Sequence, residues 1–184
     1  MLKKCYFILF LLGSINSFAE QNSIVAIIGN EVITKIELDK YLKSNKSNDS
    51  NLDSFINQKI VLSFARQKKI NPTTDLINLN LLNFSNQNNI SIDEIVKHKD
   101  FMGIKKAIEE KITIELVKDS LYVNFKKSSK KMQITTFKLI SKISENESDE
   151  EIINLIKEED KESFYSKWLN TQRSEIYIEK LLLN

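Results

Sequence analysis

The chain has 184 residues, 41% apolar and 28% charged, with a formal net charge of only +2, a globular composition of one or at most two domains that can bury a sizeable core. Its three glycines, Gly13, Gly29 and Gly103, are too scattered for a phosphate loop or a dinucleotide fingerprint. The single His98 and single Cys5 make neither a zinc finger, a Cys-His nucleophile pair nor a disulfide, so most common catalytic constellations are excluded.

The first nineteen residues read as an export signal. Lys3 and Lys4 are the charged start, Tyr6 to Leu12 the apolar run, and Ser17-Phe18-Ala19 a small-x-small site, so cleavage is expected after Ala19. The run is shorter than the roughly 20 residues that span a bilayer, so no stable membrane insertion is expected. Cys5 leaves with the signal. A mature chain without cysteine has no disulfide framework and is held by its core alone, and a bacterial periplasm is the compartment that fits. Without Lys3 and Lys4 the 27 basic residues fall to 25, against 25 acidic, so no general attraction to nucleic acid or anionic membrane is expected.

From Ser23 the chain runs Ile24-Val25-Ala26-Ile27-Ile28, then Gly29-Asn30, then Glu31-Val32-Ile33, β-branched sequence on both sides of a turn dipeptide and hence a hairpin. Thr34-Lys35-Ile36-Glu37 has capping-box spacing and predicts a helix to about Leu42. Ser44 to Asn51 reads as a loop. Leu52, Phe55, Ile56, Ile60 and Phe64 then predict a second helix ending near Lys69. Pro72 stops the chain before a third helix carrying Leu76, Leu79, Leu82 and Ile77, Leu81, Phe84. Ser91 to Glu94 is a second capping-box spacing for a short fourth helix, which Gly103 separates from a long fifth.

That fifth helix bears two rotated stripes, Ile104, Ile108, Ile112, Leu116 and Ile114, Val117, Leu121, Phe125, the mark of a central helix. Lys126 to Lys131 reads as a loop, and Met132 to Ile140 alternates loosely as a strand would, with strand character carried on towards Ile143. Ser148 to Glu151 is spaced as a further helix start, followed by Ile152, Ile153, Ile156, a break near Glu159, and Phe164, Tyr165, Trp168 and Leu169. Glu175 to Leu181 alternates with period two and predicts a closing strand.

The hairpin Ile24 to Thr34 with Ile36-Glu37-Leu38-Asp39 closely resembles the start of the mature SurA-like periplasmic chaperones. Leu52 to Lys69 is similar to that family's second helix, Asn88 to Glu94 to its Asn-rich turn and next helix start, Ile104 to Leu121 to its long helix, and Trp168 to Ile178 to its closing helix and strand. Relatives usually carry parvulin-type prolyl isomerase domains between those last two parts. Only Lys126 to Glu162 lies there in this chain, too short for such a domain and lacking glycine, histidine and cysteine.

The resemblance therefore implies a mainly α SurA-type chaperone core, without the isomerase, closed by a small antiparallel sheet joining the amino-terminal hairpin and carboxyl-terminal strand. With the export signal over 1–19 and the strand read from the residues, it gives a helical domain over 20–125, a linker with that strand over 126–147, and a helix and strand over 148–184 that pack back. It also implies a sheet through Val25, Ile27, Val32, Ile33, Ile176 and Ile178, with Tyr177 between the last two.

Local candidates for chemistry are weak. Glu94 and His98, four apart on a helix, offer two metal ligands where a site needs more. Glu158, Glu159, Asp160 and Glu162 read as a solvated helix surface rather than paired carboxylates for acid-base work. Lys126 to Lys131 reads as a solvated connector, although clusters of four lysines also dock anionic headgroups. The aromatics Phe101, Tyr122, Phe125, Phe164, Tyr165 and Trp168 are mostly core by their spacing, with some left to line a groove.

The expected function is that of an ATP-independent holdase, with no cofactor and no bond made or broken, for unfolded outer-membrane proteins or other exported polypeptides. Phe84, Phe101, Met102, Tyr122 and Phe125 are expected to line its groove, and a homodimer would enlarge the cradle. A scaffold subunit that binds one defined partner and an enzyme are the rival readings.

Overall fold

In the computed structural model the described residues are 23–44, 51–144 and 146–181, so the expected cleavage point at Ala19 and most of the expected loop over 44–51 lie outside them. Ile24–Ile28 (β1) and Glu31–Thr34 (β2) form the predicted hairpin, with Ile28 facing Glu31 across Gly29 and Asn30. Gly29 has φ +54, a left-handed backbone that glycine adopts without steric cost at the first turn position. The register slips between Ile24 and Ala26, leaving Val25 as an extra, bulged residue. That bulge is why Val25 and Ala26, which a regular strand would send to opposite faces, are both buried.

Thr34 opens α1 (Lys35–Ser44) through the predicted cap: its N–H and hydroxyl both donate to the Glu37 carboxylate at 3.0 Å, and the Glu37 N–H donates back to Thr34 Oγ1. Asn51 accepts from the Ser54 N–H to start α2 (Leu52–Lys68), which closes on Lys69 in the left-handed region. Thr73 caps α3 (Thr74–Asn88), which ends on Asn89, again left-handed, and the Ser91–Glu94 box starts α4 (Ile92–Lys97).

The longest helix, α5 (Phe101–Lys127), begins before Gly103 instead of after it. Gly103 sits in its first turn, where a Cβ would crowd the Asp100 carboxylate.

Beyond α5 the expected loop and strand are overturned. Residues 126 and 127 complete α5, and Lys130–Ser141 is a helix, α6, whose first free amide is capped by Ser129. Its buried face is Phe137 and Ile140 with Ile134 alongside, a three-residue step that a strand cannot place on one side. Asp149–Glu158 (α7) and Lys161–Glu175 (α8) follow, separated at Glu159 and Asp160 as expected.

The closing strand β3 is short, Ile178–Lys180. It pairs antiparallel with β1, Ile178 opposite Ile28 and Lys180 opposite Ala26, giving the sheet order β2-β1-β3. Ile176, expected in that strand, is instead the last cap of α8: its N–H donates to the Gln172 carbonyl and its side chain joins the core. Tyr177 lies between the two and accepts the Gly29 N–H on its carbonyl at 2.8 Å.

The molecule is thus mainly α with a small three-stranded antiparallel sheet. Helix α5 threads three apolar cores. Around its middle, Val117 meets Val25, Ile33, Ile56, Val61 and Trp168 from the sheet, α2 and α8. Towards its amino end, Ile112 meets Ile77 and Leu81 of α3 and Ile95 of α4. At its carboxyl end, Phe125 meets Phe137, Ile140, Ile152, Ile156 and Phe164. No helix among the described residues is long and apolar enough to cross a membrane.

Candidate functional site

The two ends of α5 carry helices in different ways, and the difference locates the site. At the carboxyl end the lobe of α6, α7 and the start of α8 is fastened by polar contacts. Tyr122 Oη donates to the Glu159 carbonyl at 2.8 Å, Lys126 Nζ to the Ile156 carbonyl at 2.9 Å, and Lys161 Nζ pairs with Asp119 at 2.8 Å. Lys167 pairs with the buried Glu159, whose Oε1 has no partner. Glu159 was expected on a solvated surface; the break between α7 and α8 turns it inward instead.

Aromatic rings fill the same lobe, Phe125 stacked on Phe164 at 4.5 Å and Tyr122 edge-on to it at 6.0 Å. On the neighbouring turn, burial works against the charge of Lys118, yet hydrogen bonds to Glu162 and Glu115 hold it above its usual pKa. Burial, aided by those two carboxylates, pushes the Tyr165 hydroxyl beneath it up to about 12.

The amino-end lobe of α3, α4 and the first half of α5 is held otherwise. The side-chain hydrogen bonds of α3 and α4 are local: Asn80 to the Leu76 carbonyl, Asn88 to the Phe84 carbonyl, Ser85 to the Ile90 carbonyl, Ser91 with Glu94, while α5 itself is tied to α2 by Gln58 Nε2, which donates to the Glu110 carboxylate at 3.0 Å. Among the described residues no side-chain hydrogen bond or ion pair ties α3 or α4 to another helix, so apolar packing alone holds them. Helix α3 buries Ile77 and Leu81 on α5 and turns Leu79 and Leu82, three apart, to the opposite side, where they are 53% and 47% exposed. Ile90, Val96 and Met102 are exposed on the same lobe, Met102 by 71%. A cleft of about 370 Å³ opens at its root, lined by Leu62, Ala65, Ile70, Pro72, Ile77 and Thr113.

No family model and no curated protein matches this chain.

The five residues expected to share a groove are divided between the two lobes. Phe84 and Phe101 are half-buried against the amino-end core and Met102 stands in solvent beside them, whereas Tyr122 and Phe125 belong to the carboxyl-end core, Phe125 being only 5% exposed. Leu79, Leu82, Ile90 and Val96 were not expected at the surface. The signal for the first two was present: Leu76, Leu79, Leu82 and Ile77, Leu81, Phe84 are two apolar stripes on one helix, and α3 has a neighbour for only one of them.

The remaining candidates have structural roles. Glu94 closes the α4 cap, and hydrogen bonds from Ser91 hold its carboxyl below the usual range. His98 accepts the Asp100 N–H on Nδ1 at 3.1 Å, and no group of three metal-ligating side chains occurs among the described residues. Asp160 caps α8 and Glu162 pairs with Lys118. Such an arrangement offers exposed apolar surface on helices held by apolar packing.

Proposed function

We propose that the protein is an ATP-independent, non-catalytic holdase of the SurA-like kind, exported to the periplasm with cleavage after Ala19. Its partners are unfolded outer-membrane proteins and other exported polypeptides, held at the amino-end lobe. The observation that carries this reading is the pairing of two properties in that lobe: Leu79, Leu82, Ile90, Val96 and Met102 stand exposed, and α3 and α4 are attached by apolar contacts alone.

Clients of this class alternate apolar and aromatic residues and aggregate by pairing edges and faces that water does not satisfy. A lobe that shifts without breaking buried polar bonds adapts to many such segments, and separated leucine and methionine contacts stay weak enough to release without fuel. Micromolar binding, about 8 kcal/mol, is the scale that suits capture and release. The return of β3 to the hairpin supports the same reading, since the resemblance implies that closure. So does α6: a short helix occupies the place where relatives carry an isomerase domain.

The test is light scattering during dilution of an unfolded outer-membrane β-barrel protein without nucleotide. Suppression near a stoichiometric ratio is the expected result. A folded chain that suppresses aggregation of none of several unrelated barrel clients would sink the reading in favour of a scaffold for one partner.

A further inference from the structure

The corner between α5 and α6 is not the solvated connector that its composition predicts. Ser128 Oγ donates to the Phe125 carbonyl at 2.7 Å, Ser129 Oγ accepts the Met132 N–H, and Gln133 Nε2 donates to the carbonyls of Lys126 and Ser128, both at 3.0 Å. These bonds fix four lysines, Lys126, Lys127, Lys130 and Lys131, on a rigid turn where all four are exposed. None of the four is in an ion pair among the described residues. Lys126 reaches the Ile156 carbonyl and the rings of Tyr122 and Phe125, none of them an anion. Helix α7 brings Lys157 and Glu158, one of each sign, to this end, while its acidic first turn lies at the far end of α6, where Lys138 engages Asp149.

Apolar side chains stand among these cations. Val123 lies one turn before Lys127 on α5, and Met132 and Leu139, two turns apart on the outer side of α6, are 56% and 62% exposed. Lys131 and Lys142 flank that outer side. A chain of almost no net charge has therefore gathered a fixed basic corner with apolar residues projecting from it, the composition of a surface that sits at a lipid interface.

We propose that the α5–α6 corner docks the protein on bilayers rich in anionic phospholipid, with Lys127, Lys130 and Lys131 at the headgroups and Met132 entering the interface beside them. Screening confines such attraction to about 8–10 Å in physiological salt, so docking is a short-range event that overall charge does not reveal. A nucleic acid would engage the lysines and leave Met132 and Leu139 in water, whereas a bilayer interface satisfies both.

Cosedimentation with vesicles tests this, using the chain from Glu20 onward, which holds every described element and all three cores. Binding is expected to vesicles of mixed phosphatidylglycerol and phosphatidylcholine, not to phosphatidylcholine alone, and is expected to fall in high salt. The triple variant Lys127→Gln/Lys130→Gln/Lys131→Gln is expected to lower the partition coefficient about 100-fold. Met132→Ser is expected to lower it about fivefold, and Lys97→Gln/Lys99→Gln, on α4 and the turn after it, to leave it unchanged. Equal binding to neutral vesicles, or equal loss in the Lys97/Lys99 variant, would overturn the proposal. So would binding of a short DNA duplex as tight as to anionic vesicles with no effect of Met132→Ser on either.

Discussion

The amino-end and carboxyl-end lobes of α5 are both helices packed on the same long helix, yet one is latched and the other is only greased. At the carboxyl end, stacked rings and buried polar bonds interlock Phe164, Tyr122, Glu159 and Lys167, so a rearrangement breaks several contacts together. At the amino end, α3 and α4 rest on α5 through Ile77, Leu81, Ile95 and Ile112, contacts that are non-directional and re-form after a slide. Exposed apolar residues stand on both lobes, Leu79 and Leu82 at one end and Met132 and Leu139 at the other, so what sets the amino end apart is the purely apolar attachment of α3 and α4 beneath them.

The sharpest way to break that comparison is a matched pair of truncations. Phe164→Ala, which removes a ring 3% exposed and shared between stacks, is expected to cost about 4 kcal/mol in urea unfolding followed by Trp168 fluorescence. Ile95→Ala is expected instead to speed hydrogen exchange in α3 and α4 while moving the Trp168 transition far less. If the two shift that transition equally, the lobes do not differ in attachment.

Next in size is Glu159→Gln, which keeps the shape and removes the charge partner of Lys167. About 2 kcal/mol is expected in the same unfolding measurement, below the cost of breaking a fully buried pair because Lys167 is 33% exposed.

The central body supplies a smaller effect with a pH signature. Asp53 of α2 accepts Lys180 Nζ of β3 at 2.7 Å and Arg173 Nη2 of α8 at 2.8 Å, and these hydrogen bonds hold its carboxyl below the usual value of 3.8. A lowered folded pKa adds stability that is present above the unfolded value and is lost as pH falls through the folded one. Asp53→Asn is therefore expected to cost under about 1 kcal/mol at neutral pH, the scale of a half-exposed ion pair. The variant should also flatten the loss of stability on acidification below about pH 4, read as melting temperature against pH.

Smallest in stability is Leu79→Ser/Leu82→Ser, expected within about 0.5 kcal/mol of the parent because both side chains face solvent. The same variant is expected to need about tenfold more protein to suppress client aggregation. An unchanged requirement would separate the exposed stripe from the holding activity.

Much of the fold is legible in the sequence because its boundaries are local chemistry. Thr34 with Glu37, Ser91 with Glu94 and Ser148 with Glu151 each place a hydroxyl and a carboxylate three apart, and each forms a reciprocal cap. Helix α6 was hidden because Ile134-Thr135-Thr136 reads as β-branched sequence, and because Lys126 to Lys131 has no apolar residue to show that helix resumes there. The site was half visible. Phe84, Phe101 and Met102 fall in the amino-end lobe proposed to hold clients, but whether Leu79 and Leu82 meet a neighbour depends on which side of α3 lies against α5, and helical periodicity is the same for both sides.

The sheet order has a further consequence for how the molecule comes to be. Central strand β1 has β2 as an immediate neighbour in the chain, but its other edge waits for Ile178–Lys180, so Ala26 emerges early and finds Lys180 only when the rest of the body has been made. Contacts of such long sequence separation close late, after the loop entropy between them has been met. Until β3 is in place, the outer edge of β1 is open backbone, itself the kind of surface that invites pairing with another strand. Ile178–Lys180 therefore act as the closing stitch, completing a sheet whose other two strands lie on the far side of all eight described helices in the chain.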